Sequence, residues 1–189
     1  MKKYHKDYVL EAAPEEDGKE EKKYRYIGDY YVFSMDVDKK KKIFIKNAAF
    51  AILYFLLIFL SGLLNNDGSR NFFIAIPYAF LFLPAVYLLI STFSVLKMEQ
   101  KMERVVYDKA LGRMYRSCIG IMVISLYLCI TDSVFLLTNV NKERQLQIVR
   151  EVVFLFANIG ILCFSFLHKK YLQNLKKKVM ICKYNNEVP

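Results

Sequence analysis

The chain has 189 residues, a formal net charge of +10 and 55% apolar residues, a length that suits one domain. Its apolar residues are not spread with the period of a soluble helix or strand but gathered into four blocks between charged segments, which argues against a water-soluble core. The four cysteines have no C-x-x-C spacing and none falls in the short connections between blocks two by two, so neither a disulfide framework nor a zinc site is expected.

Residues 1–23 mix Lys and Glu with Pro14 and Gly18 and read as a charged cytoplasmic N-terminal tail. No apolar stretch precedes residue 43, so the first apolar block is expected to act as the insertion signal. Residues 24–36 are rich in aromatics and predict a small cytoplasmic β-hairpin. A type II′ turn at Gly28-Asp29 would set Ile27 against Tyr30, Tyr26 against Tyr31, Arg25 against Val32 and Tyr24 against Phe33. Side-chain alternation then gathers Tyr24, Tyr26, Tyr31 and Phe33, with Met35, on one interaction face. The stretch "DYVL" at 7–10 offers a third strand, with "PEEDGK" as its turn. An isolated hairpin is marginal in water, so the aromatic face needs a surface: the membrane interface, the chain's own cytoplasmic helix at Met98 and Met102, or a partner protein.

Four transmembrane helices are expected at about 43–64, 72–96, 118–140 and 146–167, since ~20 residues cross the hydrocarbon. They form an all-α polytopic domain over 43–168, built as two antiparallel hairpins. "NNDGSR" makes the first tight outer turn, and "NVNKERQLQ" joins the last two spans. Between the hairpins, Val95, Met98, Met102 and Val105 recur at helical spacing. The second span is therefore expected to run on as a helix to about Leu111, with Gly112 as its stop. Residues 169–189 read as a basic cytoplasmic tail, with Tyr171, Leu172, Leu175 and Val179 as an apolar stripe.

Segments 1–47, 97–117 and 168–189 hold 12, 6 and 6 Lys/Arg, against 1 and 3 in 65–71 and 141–151. The positive-inside rule then places both termini in the cytoplasm. Lys39, Lys40, Lys41 and Lys42 ahead of the first span, and Lys169, Lys170, Lys176, Lys177 and Lys178 after the fourth, become membrane-surface basic residues facing the lipid bilayer. The basic excess is thus topological, and nucleic acid is not an expected partner. Richness in Lys, Ile, Asn and Tyr suits an A/T-rich genome and a bacterial inner membrane.

Asp132 is the ionisable residue expected deep in a span, where it costs about 2.5–3.5 kcal/mol to insert. Counted from the outer boundaries at Thr138, Val152 and Phe72, residues Asp132, Asn158 and Tyr78 lie at matching depth, roughly 9 Å down at ~1.5 Å per residue. They are expected to form a polar cluster, helped by Thr131 and Ser133, with Pro77 and Pro84 freeing carbonyls nearby. Such a cluster either binds a proton or cation or simply ties the helices together. No H-E-x-x-H, phosphate-binding loop or dinucleotide glycine pattern occurs, so no catalytic residue, metal or cofactor is expected. The expectation is an accessory, interaction subunit of a membrane complex, touching a membrane-protein partner or a second copy of itself. The alternative is a transporter or channel component using Asp132.

Overall fold

Asp36 starts the first long helix, α1 (Val37–Gly62), by accepting from the Val37 N–H at 3.2 Å as its N-cap. The computed structural model describes residues 2–14, 20–33, 36–138 and 145–182. The expected position of Met35, the turn after Pro14, the loop at 139–144 and the tail beyond Cys182 lie outside them. The chain is mostly helical, with four stretches long and apolar enough to cross a membrane: Val37–Gly62, Phe72–Lys97, Arg104–Thr138 and Leu146–Lys177. Only 22–28% of each apolar window is buried inside the protein. The remainder, including Phe59, Phe72, Phe73 and Phe156, is an outward apolar surface far larger than a soluble monomer carries.

α1 ends at a turn in which Asn65 takes a positive φ of 43°, a conformation asparagine tolerates. Asn71 then caps α2 (Phe72–Phe80) by accepting from Phe73 N–H at 3.0 Å. A single residue, Leu81, separates α2 from α3 (Phe82–Ser94). Pro84 lacks the N–H that would bond Phe80, so the regular ladder is interrupted here. Helix α4 (Arg104–Tyr107) passes through one wide turn at Asp108–Gly112 into α5 (Arg113–Thr138). The last helix is α6 (Gln145–Lys177). α5 and α6 make the most extensive helix contact, and α1 closes the bundle against α3 and α6.

Two expectations are corrected at one end of the bundle. The first is the hairpin at Gly28-Asp29, which does not form. Strand β1 (Tyr8–Pro14) instead pairs antiparallel with β2 (Glu20–Tyr26), Tyr8 opposite Tyr26, so the N-terminal hairpin is the one begun by "DYVL". β3 (Tyr30–Val32) leaves it and lies between β4 (Lys101–Glu103) and β5 (Met180–Cys182) in a second sheet. Tyr31 stands opposite Met102 and Ile181. The reason is backbone satisfaction: β3 pairs along both edges here, where a two-strand hairpin would have used one. The switch between sheets depends on Gly28, where a Cβ would lie 2.7 Å from the Tyr26 hydroxyl. That hydroxyl donates to Asp29 O at 2.8 Å.

The second correction concerns the expected helix to Leu111. The helical chain ends at Lys97, Met98 is extended, and β4 follows. Gly112 sits inside the next helical stretch rather than terminating the previous one. Met98 and Met102 are both buried all the same. A spacing of four residues returns a side chain to the same face in a strand as well as in a helix, so the stripe did not distinguish them.

Candidate functional site

The buried residues of α6 are Glu151, Phe154, Asn158, Ile161, Ser165, His168, Leu172 and Leu175, alternating by three and four. Those of α5 that match this step are Met114, Cys118, Ile121, Ser125, Leu128 and Asp132. This is the seam of an antiparallel helix pair packed like a coiled coil, with polar residues at several of its levels. Its register is marked by the Cys118 Sγ–H donating to Ser165 O at 3.3 Å. Two heptads further along, the same register sets Asp132 level with Glu151, both on the buried seam.

Asp132 and Glu151 are both buried, at 0% and 1% exposure. Glu151 reaches across to the turn between the first two helices, accepting from Asn66 Nδ2 at 2.6 Å and from Gly68 N–H at 2.5 Å. A Cβ on Gly68 would lie 2.7 Å from Glu151 Oε2, so glycine is what lets the carboxylate reach the backbone. Neither carboxyl oxygen of Asp132 meets a donor, and Asn66 Oδ1 is also unpartnered. Two carboxylates facing each other offer only acceptors, so the pair needs a shared proton or a cation between them. Among the described residues no three of His, Cys, Asp and Glu cluster as a metal ion would require.

The other expected members of the cluster lie elsewhere. Asn158 is one heptad from Glu151 along α6, about 10 Å deeper, and level with Ser125. Its Nδ2 donates back to Phe154 O at 3.1 Å. The Tyr78 hydroxyl bonds Ile58 O and lies 3.0 Å from Ser61 Oγ, which binds α2 to α1 and not to Asp132. Thr131 and Ser133 donate to carbonyls of their own helix. The depth count started α6 at Val152, seven residues away from the register that packing selects. Glu151, read from sequence as a flanking residue, takes the place given to Asn158.

His168, one residue beyond the expected end of the fourth span, is fully buried. Its Nε2 lies 2.9 Å from Asn47 Oδ1, while Asn47 Nδ2 donates to Ile43 O at 2.8 Å. Phe50 stacks on the imidazole at 4.2 Å and 1°. The three-four spacing from Glu151 to Leu175 carries both Glu151 and His168 and is the sequence signal that could have found them.

At the sheet end, the aromatic residues do not share one open face. Tyr26 and Phe33 are buried and Tyr24 is exposed. Tyr31 stacks on Tyr107 at 4.3 Å. Tyr8 donates to Glu103 Oε2 at 2.5 Å, and Arg104 N–H donates to the Tyr26 hydroxyl at 3.1 Å. Burial, and then the Glu103 carboxylate, push the Tyr8 hydroxyl above its ordinary range. The lysines gather at the same end. Lys39, Lys41, Lys42, Lys170, Lys177 and Lys178 are exposed, Lys40 and Lys169 are half-buried, and Lys176 lies over the Tyr115 ring at 4.2 Å. No protein-family profile, curated protein or solved structure matches this chain.

Proposed function

We propose that the chain is a four-span integral membrane protein of the bacterial inner membrane, with both termini cytoplasmic, serving as an accessory, interaction subunit of a membrane complex. One observation carries the reading. Among the described residues, β5 is an edge of the sheet ordered β4-β3-β5. Its residues Met180, Ile181 and Cys182 are all exposed, Met180 at 70% and Ile181 at 60%. An apolar open edge accepts an extended segment of another chain by strand addition, the backbone supplying affinity and alternate side chains supplying selectivity. The lysines at the same end support a cytoplasmic placement.

A photo-reactive residue at position 180, in native membranes, is expected to give one discrete adduct with a different membrane protein. Ile181→Pro, which removes a backbone donor from the edge, is expected to abolish it. Absence of any adduct would sink the reading, and an adduct of twice the chain's mass would replace it with a homo-oligomer.

The Asp132–Glu151 pair favours a second reading, a transporter or channel component, now resting on Asp132, Glu151 and Asn66 rather than on Asn158 and Tyr78. It requires a flux or proton uptake in vesicles that Asp132→Asn removes. An uptake indifferent to that substitution would eliminate Asp132 as its carrier.

A further inference from the structure

A groove of about 390 Å³ runs between α3 and α5 on the outside of the bundle. Its floor is the crossing of Gly120 and Pro84, where a Cβ on Gly120 would lie 3.3 Å from the proline Cβ. From there toward one end its walls are Phe80, Leu83 and Ile124, all apolar. Toward the sheet end it is lined by Tyr87, Ser117 and two guanidinium groups, Arg113 and Arg116. Among the described residues neither arginine has an acidic partner: the ion pairs present are Arg70–Asp67 and Arg104–Asp7. Two guanidinium groups beside an apolar trough make an amphipathic site, and its length sets its scale. The α5 lining runs from Arg113 to Ile124, about 16 Å of helix, room for a phosphate at the arginines and the first part of an acyl chain from Gly120 to Ile124.

We infer that this groove binds one anionic phospholipid of the leaflet at the sheet end, with the phosphate held by Arg113 and Arg116 and an acyl chain lying along Pro84 toward Phe80 and Ile124. The inference rests on the membrane-spanning reading above. Guanidinium groups make bidentate contacts with phosphate oxygens, a geometry that lysine does not reproduce. The exposed lysines at the same end attract anionic headgroups in general. The groove differs in joining two guanidinium groups to an apolar trough. Its occupant is therefore an intact anionic lipid and not a soluble phosphate, which would leave the apolar part unfilled.

The full chain, purified in detergent, would be titrated with equal amounts of phosphatidylglycerol and phosphatidylcholine and read by native mass spectrometry. The first bound lipid is expected to be phosphatidylglycerol, preferred roughly thirtyfold if each arginine contributes as a typical surface cation does. Arg113→Gln with Arg116→Gln is expected to remove that preference, and Lys39→Gln with Lys40→Gln to leave it. Equal binding of the two lipids, or a preference that survives loss of both arginines, would overturn the inference. Full displacement by glycerol phosphate would overturn it too, by showing a soluble-anion site. A second measurement does not depend on the folding of the arginine variant. The chain contains no tryptophan, so Leu83→Trp, at an exposed wall position, provides a single reporter. Its fluorescence is expected to be quenched by phosphatidylglycerol with brominated chains at lower mole fraction than by the choline lipid, and equal quenching counts against the site. Release of the protein from membranes by alkaline carbonate would instead defeat the membrane-spanning reading itself.

Discussion

Gly68 and Glu151 show how one residue without a side chain positions another that has a charge. The Glu151 carboxylate closes the turn between the first two helices through Gly68 N–H and Asn66 Nδ2. Gly68→Ala would direct a methyl at Glu151 Oε2. The steric conflict alone is mild, because a glutamate tip can swing aside. The cost lies in the hydrogen bonds to a buried carboxylate that are then lost, about 1.5–3 kcal/mol. Gly68→Ala is therefore expected to lower thermal stability in detergent, and Glu151→Gln, which keeps an acceptor oxygen and relieves the repulsion with Asp132, to lower it less. A loss from Glu151→Gln with none from Gly68→Ala would argue that the carboxylate charge and not the turn contact matters. From sequence, Asp132 was recognised because an acid in an apolar run is conspicuous. Glu151 was overlooked because it stands beside Arg150 and near a charged connection, where an acid is ordinary.

At the scale of elements, the β1–β2 hairpin is held against β4 and α4 by tyrosines. Tyr8 packs edge-on against Tyr26 at 5.2 Å, and Tyr26 against Tyr30 at 5.0 Å. Both Tyr8 and Tyr26 have hydroxyls raised above their usual range, chiefly by burial. A tyrosine raised in the folded state contributes its full share below the unfolded value, near pH 10. That share declines as pH rises through the folded value, because the unfolded chain ionises first. Protection of the amides across residues 8–14 and 20–26, taken as the intrinsic exchange rate at each pH divided by the observed one, is thus expected to fall above about pH 10, and Tyr8→Phe to flatten part of that fall. Protection that stays constant up to pH 11 would remove the tyrosine contacts as the fastening. The presence of strand-forming segments was legible in the alternation of 24–33, and the pairing was not. A local turn signal at Gly28-Asp29 suggested neighbours, while Met102 and Ile181, distant in sequence, offered β3 two partners instead of one.

At the scale of the molecule, β3, β4 and β5 come from the N-terminal segment, the connection between the helical hairpins and the C-terminal segment. One sheet therefore holds all three at the same end of the bundle, whichever side of a membrane that end faces. Cys182 is exposed in β5 and reports the side directly. In intact cells an impermeant maleimide is expected to label Arg70→Cys in a Cys182→Ser background and to leave native Cys182 unlabelled until the membrane is opened. The reverse pattern would invert the proposed orientation.

Hydropathy and charge depend on composition along a short window, and for that reason the four apolar helices and the lysine-rich segments beside them are legible in the residues alone. Which residues meet is a different matter. The α5–α6 register sets Asp132 against Glu151 instead of Asn158, and sheet pairing sets Tyr31 against Met102 and Ile181. Both follow from packing between distant segments. A shift of one heptad leaves every local pattern unchanged, and only the packing of the whole seam distinguishes one register from the next.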